Sequence, residues 1–263
     1  MYDFNYQKAS SVEDAGKKHK AASDARYLAG GMTLIPVLKQ RLDQPSDVID
    51  LGELKDLVGI SEEGGAIVIK AMTKHNDVEN SELVKKKIPA LAELAGTIGD
   101  PMVRNRGTIG GSLANSDPAA SYPSAVLALN ATIHTDKRTI KADDFFQGMF
   151  TTALEPGELI TKVSFPIPEF AGYRHFPNPA SRFPIVGAFV AKTKDGVRVA
   201  ITGAGPCAFR VPEFEKAWAG GIDPEKIRAI KLPWDGLNTD IHASAEYRAH
   251  LINVMARRAA GGQ

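Results

Sequence analysis

The sequence is short of thiols. Cys207 is the only cysteine in 263 residues. The chain therefore makes no internal disulfide, and it cannot hold an iron–sulfur cluster, which takes about four thiolates. Any metal redox chemistry belongs to a partner chain. The six histidines, His19, His75, His134, His175, His242 and His250, are scattered. They show neither H-E-x-x-H nor Cys/His spacing, which argues against a protein-held zinc. They read as surface or packing residues, and Cys207 as an inert buried thiol. Charge of one sign is lacking too, with 32 Lys and Arg against 31 Asp and Glu and a net charge of +1. That balance gives no support to binding of nucleic acid or of a membrane surface. No apolar run is long enough to span a bilayer. Met1 to Tyr6 has neither the basic region nor the apolar run of a signal peptide, so a cytoplasmic location is expected. A G-x-G-x-x-G fingerprint is absent, which argues against a doubly wound dinucleotide fold. No catalytic acid–base pair stands out.

What is present suffices for a substantial core, at 43% hydrophobic residues and a length that allows one large domain or two to three smaller ones. Ser10 and Ser11 stand before Glu13 and Asp14 at capping-box spacing, which predicts a helix running to about Ala22. A strand from Arg26 to Ala29 enters Gly30-Gly31. A helix follows with Leu34, Val37, Leu38 and Arg41 at its spacing and Pro36 in the first turn, where the missing N–H breaks no bond. With a strand at Val48 to Leu51, this makes a small α/β unit over residues 1–56. A second unit over 57–169 carries strands at Ala66 to Met72 and Leu159 to Phe165. It also holds an apolar helix at Ile88 to Ala95, a polar loop at Asp100 to Arg106, a helix at Ala125 to Leu129 and a hairpin around Asp136-Lys137-Arg138. Pro166 and Pro168 break the pattern, so a boundary is placed near residue 170. In the third unit, 170–263, strands Ile185 to Lys192 and Val197 to Thr202 flank Asp195-Gly196. A helix over Ala245 to Ala259 ends in Arg257 and Arg258, which complement its dipole.

Two glycine turns carry the chemistry. In Ala29-Gly30-Gly31-Met32-Thr33 a strand delivers the chain, glycines let the backbone approach a ligand, and a helix starts at once with free N–H groups. Thr33 adds a hydroxyl. A plain strand–helix turn remains open for this segment alone. The second turn is Gly107-Thr108-Ile109-Gly110-Gly111-Ser112, led in by Arg104, Asn105 and Arg106 and followed by Asn115 and Asp117. Two such turns can grip the two phosphates of one pyrophosphate; two unrelated loops with solvated arginines are the alternative. A side chain at Gly110 is expected to enter the phosphate space. Asp117 either bonds a cofactor hydroxyl or caps a helix starting near Pro118. Tyr122 either covers a ring or packs in the core. Gly203-Ala204-Gly205, followed by Pro206, reads as a turn.

These residues resemble the FAD-binding medium subunit of the molybdenum hydroxylases, the group of carbon monoxide dehydrogenase and xanthine dehydrogenase. The resemblance rests on Ala29-Gly30-Gly31-x-Thr33-Leu34-x-Pro36, Val48-Ile49-Asp50-Leu51, Ala71-Met72-Thr73 and the block from Ile98 to Ser112. Ala243-Ser244-Ala245-Glu246-Tyr247-Arg248 is similar to the family's closing helix. Pro177-Asn178-Pro179-Ala180-Ser181-Arg182 is most similar to the carbon monoxide dehydrogenase-like medium subunits. The resemblance implies an α+β fold: a two-lobed FAD-binding domain of the vanillyl-alcohol-oxidase/PCMH type, made of 1–56 and 57–169, then a small α/β C-terminal domain. It implies a flavoprotein oxidoreductase subunit that relays electrons. A large molybdopterin-binding subunit oxidises the substrate and a small subunit carries [2Fe–2S] clusters, with a dimer of heterotrimers as the expected assembly. An external acceptor takes the electrons.

Carried over by position, Leu28 to Ile35, including Met32 and Leu34, and Gly107 with Thr108 to Ser112 contact the FAD. Ile98, Gly99, Val103, Ala114 and Asn115 line the same groove, and Ile160 packs near the adenine end. Ser121 and His175 are further candidates, at positions where the family often has an acidic residue and a lysine. A self-sufficient FAD-dependent oxidoreductase of the same fold and a non-catalytic assembly protein are the alternatives. Two intact glycine turns without a ligand speak against the last.

Overall fold

Three main sheets follow one another along the chain, which the computed structural model describes over residues 1–262. The first is parallel: β1 (Asn5–Lys8) and β2 (Ala25–Leu28) flank β3 (Asp47–Asp50). Helices α1 (Val12–Ala21) and α2 (Leu34–Lys39) make the returns that parallel strands require. The Ser11 hydroxyl accepts the Asp14 N–H at 3.1 Å while the Asp14 carboxylate accepts the Ser10 N–H at 2.9 Å, so α1 starts where its capping residues place it.

The second sheet runs β4 (Ile60–Glu63), β5 (Ala66–Lys70), β10 (Ile160–Pro166), β6 (Thr132–Thr135) and β7 (Thr139–Lys141), in that spatial order and antiparallel throughout. Between β5 and β6 the chain folds into six helices. These are α3 (His75–Asn80), α4 (Glu82–Lys87), α5 (Pro89–Gly96), α6 (Pro101–Arg104), α7 (Ile109–Asn115) and α8 (Tyr122–Ala128). Ile67 and Ile69 of the sheet share one core with Leu91, Leu94, Leu113 and Val126 of the helices. After β7 come α9 (Ala142–Phe145) and a small hairpin, β8 (Phe146–Gly148) and β9 (Thr151–Thr152).

The third sheet is β11 (Phe170–Pro177), β12 (Pro184–Thr193), β13 (Gly196–Thr202) and β14 (Phe209–Arg210), followed by α10 (Pro212–Ala217) and α11 (Ala245–Ala259). On β12 the period of two divides the side chains between two cores. Phe189 and Ala191 join the helical core of the second sheet, while Ala188 and Val190 join a core with Leu251 and Met255 of α11. Covered on both faces, the strand reads as a nearly unbroken apolar run. Buried Arg198 of β13 ties the layers together, donating to the Leu127 carbonyl at 2.8 Å and pairing with Asp143.

Some local expectations change. The polar loop Asp100 to Arg106 contains a one-turn helix, α6, because the Asp100 carboxylate accepts the Val103 N–H and Pro101 opens the turn. Asp117 caps no helix at Pro118; it closes a turn by accepting the Ala119 N–H at 2.8 Å, and α8 begins only at Tyr122. Cys207 is half-buried rather than enclosed. Among the described residues, no helix is long and apolar enough to cross a membrane.

Candidate cofactor site

A cleft of about 770 Å³ runs between the first and second sheets and ends against the tip of the β11–β12 hairpin. Both glycine turns form its walls, and they meet backbone to backbone. A Cβ placed on Gly30 would stand 2.1 Å from the Arg106 carbonyl oxygen and 2.7 Å from the Gly107 Cα. Glycine is required at Gly30 because the other turn already fills that space. Gly31 adopts a φ of 75°, and the side chains of Leu28 and Ile35 pack beneath it.

The two turns differ in what they offer a ligand. The N–H groups of Gly30, Gly31, Met32 and Thr33 donate to no protein acceptor among the described residues, whereas the Ile35 N–H is taken by the Gly31 carbonyl. In the second turn the N–H groups of Ile109, Gly110 and Ser112 bond to the carbonyls of Thr73, Ala71 and Thr108, and that of Gly111 to the Thr108 hydroxyl. What the second turn presents is therefore mainly side-chain chemistry: Ser112 and, further along α7, Asn115, which line the same cleft as Thr33. Unsatisfied N–H groups on one side and neutral polar side chains on the other suit an anionic, hydroxyl-bearing ligand.

The expected site residues fall mostly on this surface. Ala29 to Leu34, Ile98, Gly99, Val103, Gly107, Thr108, Gly110 to Ser112, Ala114, Asn115, Ser121 and Ile160 line the cleft. Leu28, Ile35, Ile109 and His175 do not. Leu28 and Ile35 support the first turn from below. Ile109 is fully buried in the helical core, and His175 lies on β11 stacked on Tyr173, with ring centroids 5.5 Å apart. Gly110 has a different task from the one expected. A Cβ there would meet the Ala71 Cβ at 2.6 Å and its carbonyl oxygen at 2.8 Å, so this glycine lets α7 approach the end of β5. Arg104 is committed elsewhere, with Nε on Glu79 at 2.8 Å, and the Asn105 amide donates to the Pro101 carbonyl.

Sequence reasoning missed both ends of the cleft. At one end Tyr27 donates to the Gly157 carbonyl at 3.1 Å, beside Leu154 and Glu158. The Glu158 carboxylate is held by the Arg138 guanidinium, which lowers its pKa to about 2 despite burial. At the other end stand Ala119, Ala120 and residues 180–184, contributed by the third sheet. Arg182, with a φ of 64°, reaches across to the Gly99 carbonyl at 3.4 Å. His75 is the third omission. It is buried, lines the cleft, and has its pKa lowered to about 4 by burial, with the Arg104 charge adding to the effect. A scattered histidine gave no signal in the sequence. Only its place at the start of α3, under the second glycine turn, marks it.

Comparison with known proteins places this geometry. Residues 2–168 match the family described as the FAD binding domain in molybdopterin dehydrogenase. The nicotine 6-hydroxylase medium subunit of Paenarthrobacter nicotinovorans is 38% identical, over 96% of this chain and 94% of that protein. The carbon monoxide dehydrogenase medium chain of Hydrogenophaga pseudoflava is 37% identical, over 97% and 95%. Among solved structures, reconstituted CO dehydrogenase from Oligotropha carboxidovorans superposes with a TM-score of 0.90 at 33% identity, covering 99% of this chain and 97% of that one. Quinoline 2-oxidoreductase from Pseudomonas putida 86 gives a TM-score of 0.90 at 29% identity, over 98% and 96%. The chain therefore belongs to the family of FAD-binding medium subunits of the molybdenum hydroxylases, oxidoreductases of the carbon monoxide dehydrogenase and xanthine dehydrogenase type.

Proposed function

We propose that this subunit holds one FAD in the cleft and relays electrons through it, from iron–sulfur clusters of a small partner subunit to an external acceptor. A large molybdopterin-binding subunit performs the substrate oxidation, and the three chains assemble as a dimer of heterotrimers in the cytoplasm. Residues 1–56 and 57–169 serve as the two lobes of the flavin domain and 170–263 as the C-terminal domain. The observation that carries the reading is the meeting of two glycine turns in one cleft, with four N–H groups of the first left without acceptors among the described residues.

The residues fit the group. The N–H groups of Gly30 to Thr33 and the side chains of Thr33, Ser112 and Asn115 would hold the pyrophosphate and ribityl portions. The walls flanking the turns, Ile160 and Leu57 among them, would enclose the rings. Bound FAD supplies the electron-carrying chemistry, and the protein positions it, excludes water and sets its electrostatic surroundings. The Arg26–Asp43 pair that lines the cleft and the Arg138–Glu158 pair beside its end are each neutralised internally and need no ligand charge. The complex's substrate is decided in the large molybdopterin-binding subunit.

The test is direct. The purified apoprotein, titrated with FAD, should quench flavin fluorescence with one-to-one saturation. Affinity purification of the chain from its native host should bring down a molybdopterin-containing and a cluster-containing subunit. A folded protein that takes up no FAD would refute the cofactor, and turnover of a substrate by the isolated chain would refute the relay role.

A further inference from the structure

Two buried polar atoms near the second glycine turn have no partner among the described residues: His75 Nδ1 and the Tyr122 hydroxyl. Their rings lie side by side, with centroids 5.4 Å apart at 45°. Unpartnered buried groups are costly, so a native structure that keeps two together calls for a reason. Tyr122 is fully buried at the start of α8, and burial raises its pKa, so it remains a phenol and a donor. His75 is only 4% exposed. Its ring borders the cleft, and Nε2 lies 2.6 Å from where a Cβ on Gly107 would stand. The backbone fixes the same residue: the His75 N–H donates to the Gly107 carbonyl at 3.0 Å, and Lys74 pairs with Thr108 in a β-bridge. The ring is thus held at the wall with one nitrogen sealed inside and the other at the cleft, beside the turn that offers few N–H groups of its own.

We propose that His75 is a cofactor-binding residue, donating a hydrogen bond from Nε2–H to an oxygen of the dinucleotide beside Gly107 and Thr108. Tyr122 packs its ring against the imidazole without bonding it, since its hydroxyl and Nδ1 each lack a partner, so Nε2, the nitrogen not sealed inside, is the one placed to donate. The charged groups facing the ring are Arg104 of α6 and, past Tyr122, Glu79 of α3, which are paired with each other at 2.8 Å. The imidazole accordingly stays neutral and acts as a dipolar donor. This inference rests on the cleft being the FAD site.

The experiment measures FAD dissociation constants of the apoprotein by flavin fluorescence for wild type, His75→Phe, His75→Gln and Tyr122→Phe, alongside urea unfolding without cofactor. The His75→Phe variant should bind about tenfold more weakly, the net worth of one hydrogen bond to a charged or strongly polar oxygen. His75→Gln, which keeps an N–H donor, should recover most of the affinity. Tyr122→Phe, which removes a hydroxyl that bonds nothing among the described residues, should leave FAD affinity unchanged and the His75 ¹⁵N resonances at the Nε2–H tautomer. The cofactor-free stability of His75→Phe should not fall at neutral pH, because an unpartnered nitrogen is removed. Equal affinity of His75→Phe and wild type, or no recovery by glutamine, overturns the role of His75. A wild type that takes up no FAD refutes the cofactor reading instead.

Discussion

Replacing Gly30 by alanine tests the central feature of the cleft, because it changes one methyl group and nothing chemical. The added Cβ would lie 2.1 Å from the Arg106 carbonyl oxygen, 2.7 Å from the Arg106 carbonyl carbon and 2.7 Å from the Gly107 Cα. All three obstacles are backbone, so no rotamer change relieves the clash, and the turns must part by about 1 Å at a cost of about 1–3 kcal/mol. Without cofactor the first turn can give way, so the cost falls partly on stability. With cofactor both turns must regain their spacing, and the remainder appears as affinity, an increase in Kd of up to about 100-fold. Titration of FAD into the apo variant, paired with urea unfolding with and without saturating FAD, separates the two shares. Unchanged Kd together with unchanged unfolding would show that the turns are not in contact, and the argument for a shared grip would fail with it.

Gly16→Ala is the matched control. That glycine sits inside α1 with nothing within 4 Å of an added Cβ, so the substitution should stabilise the protein by about 0.5–1 kcal/mol with FAD affinity unaltered. His75 should make stability depend on acid. Its folded pKa of about 4 lies below the ordinary 6.5, so the unfolded chain takes up the proton first as pH falls. About 3 kcal/mol should be lost between pH 6.5 and pH 4, and urea unfolding of His75→Phe should lack that slope. Arg198→Met removes the guanidinium that bonds the Leu127 carbonyl and Asp143 from a buried position. A loss of about 1–3 kcal/mol is expected by chemical denaturation, and a variant as stable as wild type would show that the tie contributes nothing.

Much of the fold was legible because local signals agreed with the tertiary outcome. The closing helix runs over Ala245–Ala259 as its pattern and terminal arginines indicate, with the Ser244 hydroxyl accepting the Tyr247 N–H. The strands around Asp195-Gly196 are those the turn suggests. By contrast, β11 carries Gly172, Arg174 and His175, and as an edge strand it owes its form to pairing with β12. The short helices α3 and α4 are too brief for periodicity to register and are held by packing on α5. For the site, the sequence marked where glycines are needed but not why. Gly30 and Gly110 look alike on paper, yet one faces the other turn and the other faces Ala71. His75 was invisible because its significance lies in what it does not touch.

The hairpin tip at the end of the cleft has a consequence for inheritance. The recognised family domain ends at residue 168, yet Ala180 to Pro184 form part of the cleft wall. A chimera joining the first 168 residues to a relative's remainder would keep both glycine turns intact. It would also acquire foreign residues at the far end of the cleft. Recombination at this seam would therefore change one wall of the cleft without touching a single residue of either glycine turn.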